Sequence, residues 1–319
     1  AHLPATRYCL HSLPSHNRFP PSSFHLHFHS MFRPFCAALA LSALALLASA
    51  AINPDAYTAA VELYTQRKPQ EAQKAFEALA AADAGNADVQ FYLGRLALQG
   101  NDHEKAVAYL ERAVALAPAD ARYLHRLGDA YGLSAQKAGM FSKMGLAGKC
   151  RTAYEKAVEL DPKNIDARLA LLSYYQQAPG IVGGSLEKAL TQAQAIKQLD
   201  PARGRMAIAS VRVMEKKYAA AFAELDEVLT EKPGDYAALF QTGRIAAISG
   251  ERLAAGLAAL RQCLAQTPPG NQPGHAAAHW RIGNILEKQG DKAGARAAYE
   301  AALRVDPKFS QAIESLRKL

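Results

Sequence analysis

The stretch from Ala87 to Asp120, ADVQFYLGRLALQGNDHEKAVAYLERAVALAPAD, decides the fold. It contains two helical patterns separated by the polar turn Gly100-Asn101-Asp102. The small residues Gly94 and Ala106 let the two helices approach closely, and Pro118 cannot continue the second helix, so the chain turns there. A helix–turn–helix unit of 34 residues cannot bury its apolar face alone, so it requires neighbours of the same kind.

The same pattern returns near the C-terminus. Residues 276–309 repeat it, with Ile282-Gly283, Gly290-Asp291 and Pro307 at the same offsets. The chain therefore resembles the tetratricopeptide repeat family. Aligning on these positions gives seven repeats, at about 53–86, 87–120, 121–164, 165–203, 204–235, 236–275 and 276–309, followed by a capping helix at 310–319. The resemblance implies an all-α, right-handed superhelical solenoid over residues 51–319.

The residues before the repeats have a different composition. Residues 1–30 are rich in His, Pro and Ser and show no periodicity, which predicts a disordered extension that the mature protein lacks. Residues 31–50 then present a short positive region, an apolar stretch and small residues, the order found in a secretory signal peptide. We expect cleavage near Ala50 and a periplasmic or secreted protein of a bacterial envelope. An uncleaved N-terminal anchor is the alternative.

The charge balance indicates no nucleic-acid partner. The formal net charge is +8, but residues 1–50 contribute three arginines and no acid, so the repeats are only mildly basic. Two cysteines, Cys150 and Cys263, fall on small core positions of the third and sixth repeats. The distance between those repeats predicts buried free thiols and no disulfide.

Two insertions interrupt the repeat pattern. The first insertion, 133–149, carries Met140, Phe141 and Met144 among lysines, and no acid occurs from Ala130 to Arg151. It predicts either a basic amphipathic patch or, as the favoured interpretation, a lengthened first helix with packed apolar residues and solvated lysines. The second insertion, 178–185, predicts a glycine-hinged loop that ends in a helix N-cap. It lacks the lysine and the preceding strand of a nucleotide-binding loop.

No catalytic spacing is present in the sequence. It contains no nucleophile elbow, no HExxH and no CxxC. The sequence therefore predicts a protein that is not an enzyme, with no catalytic residues, no cofactor and no metal. The histidines His103, His125 and His279 are interpreted as lying on solvated positions.

The resemblance implies that the concave surface carries the function, because the fifth residue of each first helix faces it in this family. Residues four positions further along the helix lie beside it. On this alignment the partner-binding residues are Tyr57, Phe91, Arg95, His125, Met206, Phe240, Arg244, Trp280 and Asn284. Aromatic anchors beside arginine and asparagine suit an extended peptide or a partner helix. We expect Phe240 and Trp280 to be partly exposed.

These observations predict a non-catalytic scaffold that binds a peptide or a partner protein in its concave groove. The first alternative is an enzyme or small-ligand site near the insertions at 133–149 and 178–185. Clustered acid–base side chains under the second insertion would favour that alternative. The second alternative is a structural spacer in a cell-envelope complex. Contact of the first insertion with a membrane surface is less favoured.

Overall fold

The computed structural model describes residues 53–270 and 272–319. The predicted extension at 1–30 and the predicted signal peptide at 31–50 lie outside these residues. The described residues form fifteen α-helices and one short 3-10 helix, with no β-strand among them. The α-helices are α1 Pro54–Thr65, α2 Pro69–Ala82, α3 Ala87–Gln99, α4 His103–Leu116, α5 Ala121–Lys137, α6 Met140–Leu160, α7 Ile165–Gln177, α8 Leu186–Leu199, α9 Pro201–Met214, α10 Tyr218–Glu231, α11 Tyr236–Ser249, α12 Leu253–Leu264, α13 His275–Lys288, α14 Lys292–Val305 and α15 Ser310–Lys318.

The helices pack as consecutive pairs, from α1 with α2 to α13 with α14. Each pair then packs on the next, and first helices of neighbouring pairs also contact one another, as in α3 with α5 and α5 with α7. The last helix, α15, covers the end of the final pair by packing on α14. The predicted all-α repeat fold is confirmed, and each pair buries its apolar face against its neighbours.

Glycines at the helix crossings explain the close packing within pairs. A Cβ atom at Gly94 would lie 2.5 Å from Leu110 Cγ, and a Cβ atom at the equivalent Gly283 would overlap the ring of Tyr299. Ala106 is completely buried on the facing helix α4. The steric role that the sequence assigned to Gly94 and Ala106 is therefore confirmed.

Polar residues at the turns begin the helices where the sequence indicates. Asp102 accepts a hydrogen bond from the backbone N–H of Lys105 at 3.1 Å, which caps α4. Asn86 caps α3 in the same way through the N–H of Val89, at 3.0 Å. These side chains satisfy N–H groups that have no partner inside the helix.

The first insertion lengthens both helices of the third repeat. Helix α5 has 17 residues and α6 has 21, whereas α3 and α4 have 13 and 14. The prediction of a lengthened first helix is therefore incomplete, because the added residues turn at Ala138-Gly139 and extend α6 as well. No helix in the described part of the chain combines the length and apolarity needed to cross a membrane.

Candidate functional site

The two insertions meet at one cavity of about 730 Å³. The first helices α3, α5 and α7 line it together with α6 and the second insertion. Leu133, Lys143 and Ala147 of the first insertion and Pro179 and Val182 of the second all contribute to the wall. The cavity thus lies on the side of the first helices, which the family resemblance places on the concave surface.

The cavity walls combine apolar side chains with a few polar groups. Leu98, Leu133, Ala147, Ala170 and Val182 provide apolar surface. Amide and hydroxyl groups occur among them and are able to orient a bound group by hydrogen bonding; they belong to Gln99, Gln136, Ser173 and Gln177. A mostly apolar concavity with a few convergent polar groups is the usual composition of a binding site.

The second insertion is held in place by hydrogen bonds to its backbone. Tyr174 Oη donates to the carbonyl oxygen of Val182 at 2.7 Å, and Arg151 Nη1 donates to the same oxygen at 3.2 Å. Gly183 has φ of +94°, a left-handed conformation that favours glycine. Ser185 then caps α8 by accepting from the N–H of Lys188 at 3.2 Å, so the predicted glycine-hinged loop and N-cap are confirmed.

A polar cluster lies at the base of the cavity. Asp129 accepts hydrogen bonds from Arg126 Nη1 and from Tyr154 Oη, both at 2.7 Å. His125 Nε2 lies 3.9 Å from the same carboxylate. Burial, together with the charge of Asp129, raises the pKa of Tyr154, so the phenol remains protonated and donates to the carboxylate.

The cluster at Asp129 also has a structural counterpart in the seventh repeat. Tyr299 Oη donates to Asn284 Oδ1 at 2.8 Å, and Gly283 and Gly128 precede the two acceptors in the same register. A tyrosine of the second helix thus bonds to the first helix in both repeats. This recurrence indicates that Asp129 and Tyr154 hold the helix pair together, and each oxygen of Asp129 already has a donor.

The structure buries three of the side chains that the sequence predicted to bind a partner. Phe91 and Phe240 are each 5% exposed and His125 is 8% exposed. The expectation that Phe240 is partly exposed is therefore wrong, because its ring belongs to the apolar core around α10, α11 and α12. His103 is also buried, so the interpretation of His103 and His125 as solvated is wrong as well.

The predicted residues at the N-terminal end form an aromatic cluster. The Arg95 guanidinium lies 4.6 Å from the ring centroid of Tyr64 and 5.3 Å from that of Phe91. Tyr57 packs edge-on against Tyr92, with centroids 6.3 Å apart. Burial, followed by the charge of Asp88, raises the pKa of Tyr57 to about 12. Their packing holds Tyr57 and Arg95 against the first and second repeats.

The predicted residues at the C-terminal end are engaged within the chain. Trp280 is half-buried as expected, but its Nε1 donates to Ser315 Oγ of α15 at 3.0 Å. Asn284 is the acceptor for Tyr299, and Met206 packs on the core cluster that contains Phe240. The capping helix thus occupies part of the surface that the alignment assigned to a partner.

Arg244 is half-buried, and its pKa is lowered by burial. Its Nε donates to Gln241 Oε1. The neighbouring Arg281 lies 4.1 Å from the Trp280 ring centroid, and burial, with the charge of Arg244, lowers its pKa to about 10. Among the described residues no carboxylate lies within 4.0 Å of either arginine, so both positive charges remain available on this surface.

The first insertion exposes apolar residues that were expected to pack. Met140 is 78% exposed and Phe141 is 92% exposed, while Ile181 of the second insertion is 81% exposed. Leu146, a further apolar residue of the first insertion, packs against the core. The interleaved lysines were the sequence signal for such a surface, and the structure favours it over the packed interpretation.

The two cysteines of the repeats are buried and free, as predicted. Cys150 contributes to the cavity wall, and burial raises its pKa to about 12. Within residues 53–270 and 272–319 no cluster of three His, Cys, Asp or Glu side chains is arranged to hold a metal ion.

Sequence models of the tetratricopeptide repeat match residues 57–121, 134–164 and 276–309. A tetratricopeptide repeat protein from Parabacteroides merdae is similar in structure, with a TM-score of 0.62 and 14% identity over 82% of this chain and 96% of that one. The C-terminal part of a repeat-containing protein from Cytophaga hutchinsonii gives a TM-score of 0.52 and 18% identity, covering 82% of this chain and 99% of that one. PilF of Pseudomonas aeruginosa gives a TM-score of 0.50 and 17% identity, covering 73% of this chain and 97% of that one. No curated protein matches the sequence.

Proposed function

Because this chain is a tetratricopeptide repeat protein, we propose that it binds a segment of a partner protein in the cavity between its third and fourth repeats. Repeats of this family serve in general as protein-interaction scaffolds, and their superhelical stacking creates extended concave binding surfaces. The proposal moves the expected binding site from the aligned aromatic positions to the cavity where the insertions meet.

The convergence of both insertions on one cavity carries this proposal. Insertions in solenoids commonly lie on the binding face. Here both insertions contribute lining residues to the same concavity, and hydrogen bonds from Tyr174 and Arg151 fix the loop that forms its rim. A site preformed in this way binds with little ordering cost.

A small ligand is the second candidate for the same cavity. Its volume of about 730 Å³ lies within the range of about 300–1,000 Å³ that ligand pockets occupy. Native mass spectrometry of protein purified from its own host distinguishes the two candidates. A bound small molecule that dissociates on unfolding supports the second candidate.

The protein-partner proposal is tested by site-specific photo-crosslinking. A photo-reactive residue at Gln136, which lines the cavity, is expected to capture a partner in cells of the native host. The matched control is Gln262, an exposed glutamine on α12. Ala147→Trp fills the cavity and is expected to abolish capture at Gln136, whereas Ala297→Trp on an exposed face of α14 is expected to preserve it. Equal capture from both glutamines, or capture that survives Ala147→Trp, contradicts the proposal.

We also propose that the scaffold acts in the bacterial envelope or outside the cell. The support is the order of positive, apolar and small residues within 31–50. N-terminal sequencing of the protein from its native host is expected to find a mature chain that begins near Ala51. A mature protein that retains residues 1–30 contradicts both the cleavage and the predicted extension.

A further inference from the structure

An exposed apolar strip runs along α6 beside the cavity. Successive residues of an α-helix are turned by about 100°, so Met140 and Met144 lie on nearly the same side of α6 as Arg151. Of the residues that line the cavity, Ala147 lies about 20° and Lys143 about 60° around the helix from Met140. The two methionines therefore border the mouth of the cavity.

The strip continues into the second insertion. Arg151 donates to the carbonyl oxygen of Val182, so the methionine side of α6 meets that loop. The preceding residue of the loop, Ile181, is 81% exposed. At a rise of about 1.5 Å per residue, the part of the strip between Arg151 and Met140 is about 16 Å long. This length suits several residues of a bound segment.

The same surface carries positive charge that the chain does not neutralise. Lys149 pairs with Glu111 at 3.4 Å and Arg151 with Glu155 at 3.7 Å. Lys137 and Lys143 have no carboxylate within 4.0 Å among the described residues, and no acid occurs from Ala130 to Arg151. Residues 1–52 and Asn271 contain no Asp or Glu either, so both lysines remain available to the carboxylates of another molecule.

We propose that the bound partner segment is acidic and amphipathic. Its apolar side chains cover Met140 and Met144 and enter the cavity, while its carboxylates face Lys137 and Lys143. Methionine side chains are flexible and polarisable, so such a strip accepts apolar residues of different shapes. This inference rests on the proposed function and specifies the partner chemistry of the same site.

The shape of the surface favours a protein segment over an anionic membrane. The strip borders a recessed cavity, and a bilayer surface cannot enter such a recess. The cavity wall also carries the amide oxygens of Gln99 and Gln177 and the hydroxyl group of Ser173, while the two amide nitrogens donate to Tyr64 Oη and Ser173 Oγ. Backbone and side-chain groups of a peptide form hydrogen bonds with these groups, whereas acyl chains do not.

Fluorescence anisotropy with two synthetic peptides tests the charge requirement. One peptide carries Leu and Glu at amphipathic spacing, and the other carries Lys in place of each Glu. We expect the Glu peptide to bind with an affinity that falls as salt is raised, and the Lys peptide not to bind. We expect Lys143→Glu to lower the affinity for the Glu peptide about tenfold. Lys308→Glu, an exposed control far along the chain, is expected to leave that affinity unchanged. Equal binding of the two peptides overturns the inference.

The apolar strip is tested with the double variant Met140→Ser/Met144→Ser. We expect it to lose most of its affinity for the Glu peptide while keeping the melting temperature of the wild type, since both side chains are exposed. Phosphatidylglycerol vesicles serve as the membrane probe. Vesicle binding that depends on the methionines, without peptide binding, overturns the inference in favour of a lipid surface.

The outcomes separate this inference from the proposed function. If Lys143→Glu leaves crosslinking at Gln136 intact while Ala147→Trp abolishes it, the cavity binds a partner but the partner is not recognised by its acidic charge. If Ala147→Trp has no effect on crosslinking, the proposed function itself fails.

Discussion

The third and fourth repeats differ from the sixth and seventh in what they place on the side of the first helices. In the sixth and seventh repeats the four helices α11 to α14 have 12 to 14 residues each, and Phe240 lies in the core cluster that also contains Leu260. In the third and fourth repeats α5 and α6 are longer, and a loop separates α7 from α8. A cavity of about 730 Å³ opens there.

The difference shows that, outside the insertions, the fifth residues of the first helices serve mainly in packing. The side chains that a family alignment assigns to the concave surface meet the next helix pair, as Phe91 meets Tyr123 at a centroid distance of 4.9 Å. The cavity of about 730 Å³ lies where the chain departs from the repeat. The following experiments test this contrast.

The largest expected effect separates two phenylalanines, one in each region. Phe240→Ala removes a buried ring and is expected to lower the free energy of unfolding by about 3–5 kcal/mol. Phe141→Ala removes a ring that is 92% exposed and is expected to change it by less than about 0.5 kcal/mol. Urea denaturation monitored by far-UV circular dichroism measures both. Similar losses for the two variants would show that the contrast between the regions is wrong.

The second effect compares two helical glycines. A Cβ atom at Gly243 would overlap Leu260, whereas one at Gly132 would lie 3.4 Å from Cys150 Sγ, beside the cavity. Both Gly→Ala changes gain about 1 kcal/mol of helix propensity, but only the change at Gly243 adds an overpacking cost of about 1–3 kcal/mol. Gly243→Ala is therefore expected to unfold at a lower denaturant concentration than Gly132→Ala. If Gly132→Ala unfolds at the lower denaturant concentration instead, the closer helix contact lies at Gly132, beside the cavity.

A smaller effect concerns the loop that forms the rim of the cavity. Tyr174→Phe deletes the hydrogen bond to the Val182 carbonyl and is expected to destabilise the loop by about 1 kcal/mol. Hydrogen exchange of residues 180–184 should accelerate while exchange in α11 stays constant. Tyr218→Phe, in a regular repeat, serves as the control. Unchanged exchange in the loop means that other contacts hold the rim.

The smallest effect is a pH dependence shared by the two regions. Burial lowers the pKa of His125 and of His279 below 6.5, although Asp129 opposes the shift at His125. The unfolded chain therefore binds protons at a higher pH than the folded one, so stability falls as the pH drops through the ordinary histidine range. His125→Gln and His279→Gln are each expected to reduce the loss in denaturation midpoint between about pH 7.5 and about pH 5.5. If both variants lose as much of the denaturation midpoint as the wild type, burial of these histidines is not the cause of the pH dependence.

Local signals in the sequence predicted the repeat fold well. Gly94, Ala106 and Pro118 act through short-range sterics, and the capping residue Asp102 acts on the helix that follows it. Each of these effects depends on residues a few positions away or on the facing helix of the same unit. A pattern of that range is visible in a single sequence, and its repetition adds further evidence.

The candidate site was less predictable, because burial depends on which elements meet. At the sequence level Phe240 and Trp280 occupy the same position of two repeats, yet one is in the core and the other bonds to the capping helix through Ser315. The histidines at 103 and 125 carry no sequence signal for burial either. Their surroundings come from neighbouring helix pairs.

The sequence by itself determined that helices pair, where most of the turns between them fall, and that residues 133–149 and 178–185 break the repeat. Only the tertiary structure decided that these two segments, separated by a whole helix, line one cavity. The reason is physical: helix formation and capping are local, whereas a cavity is the volume that remains when several helices of unequal length are packed together.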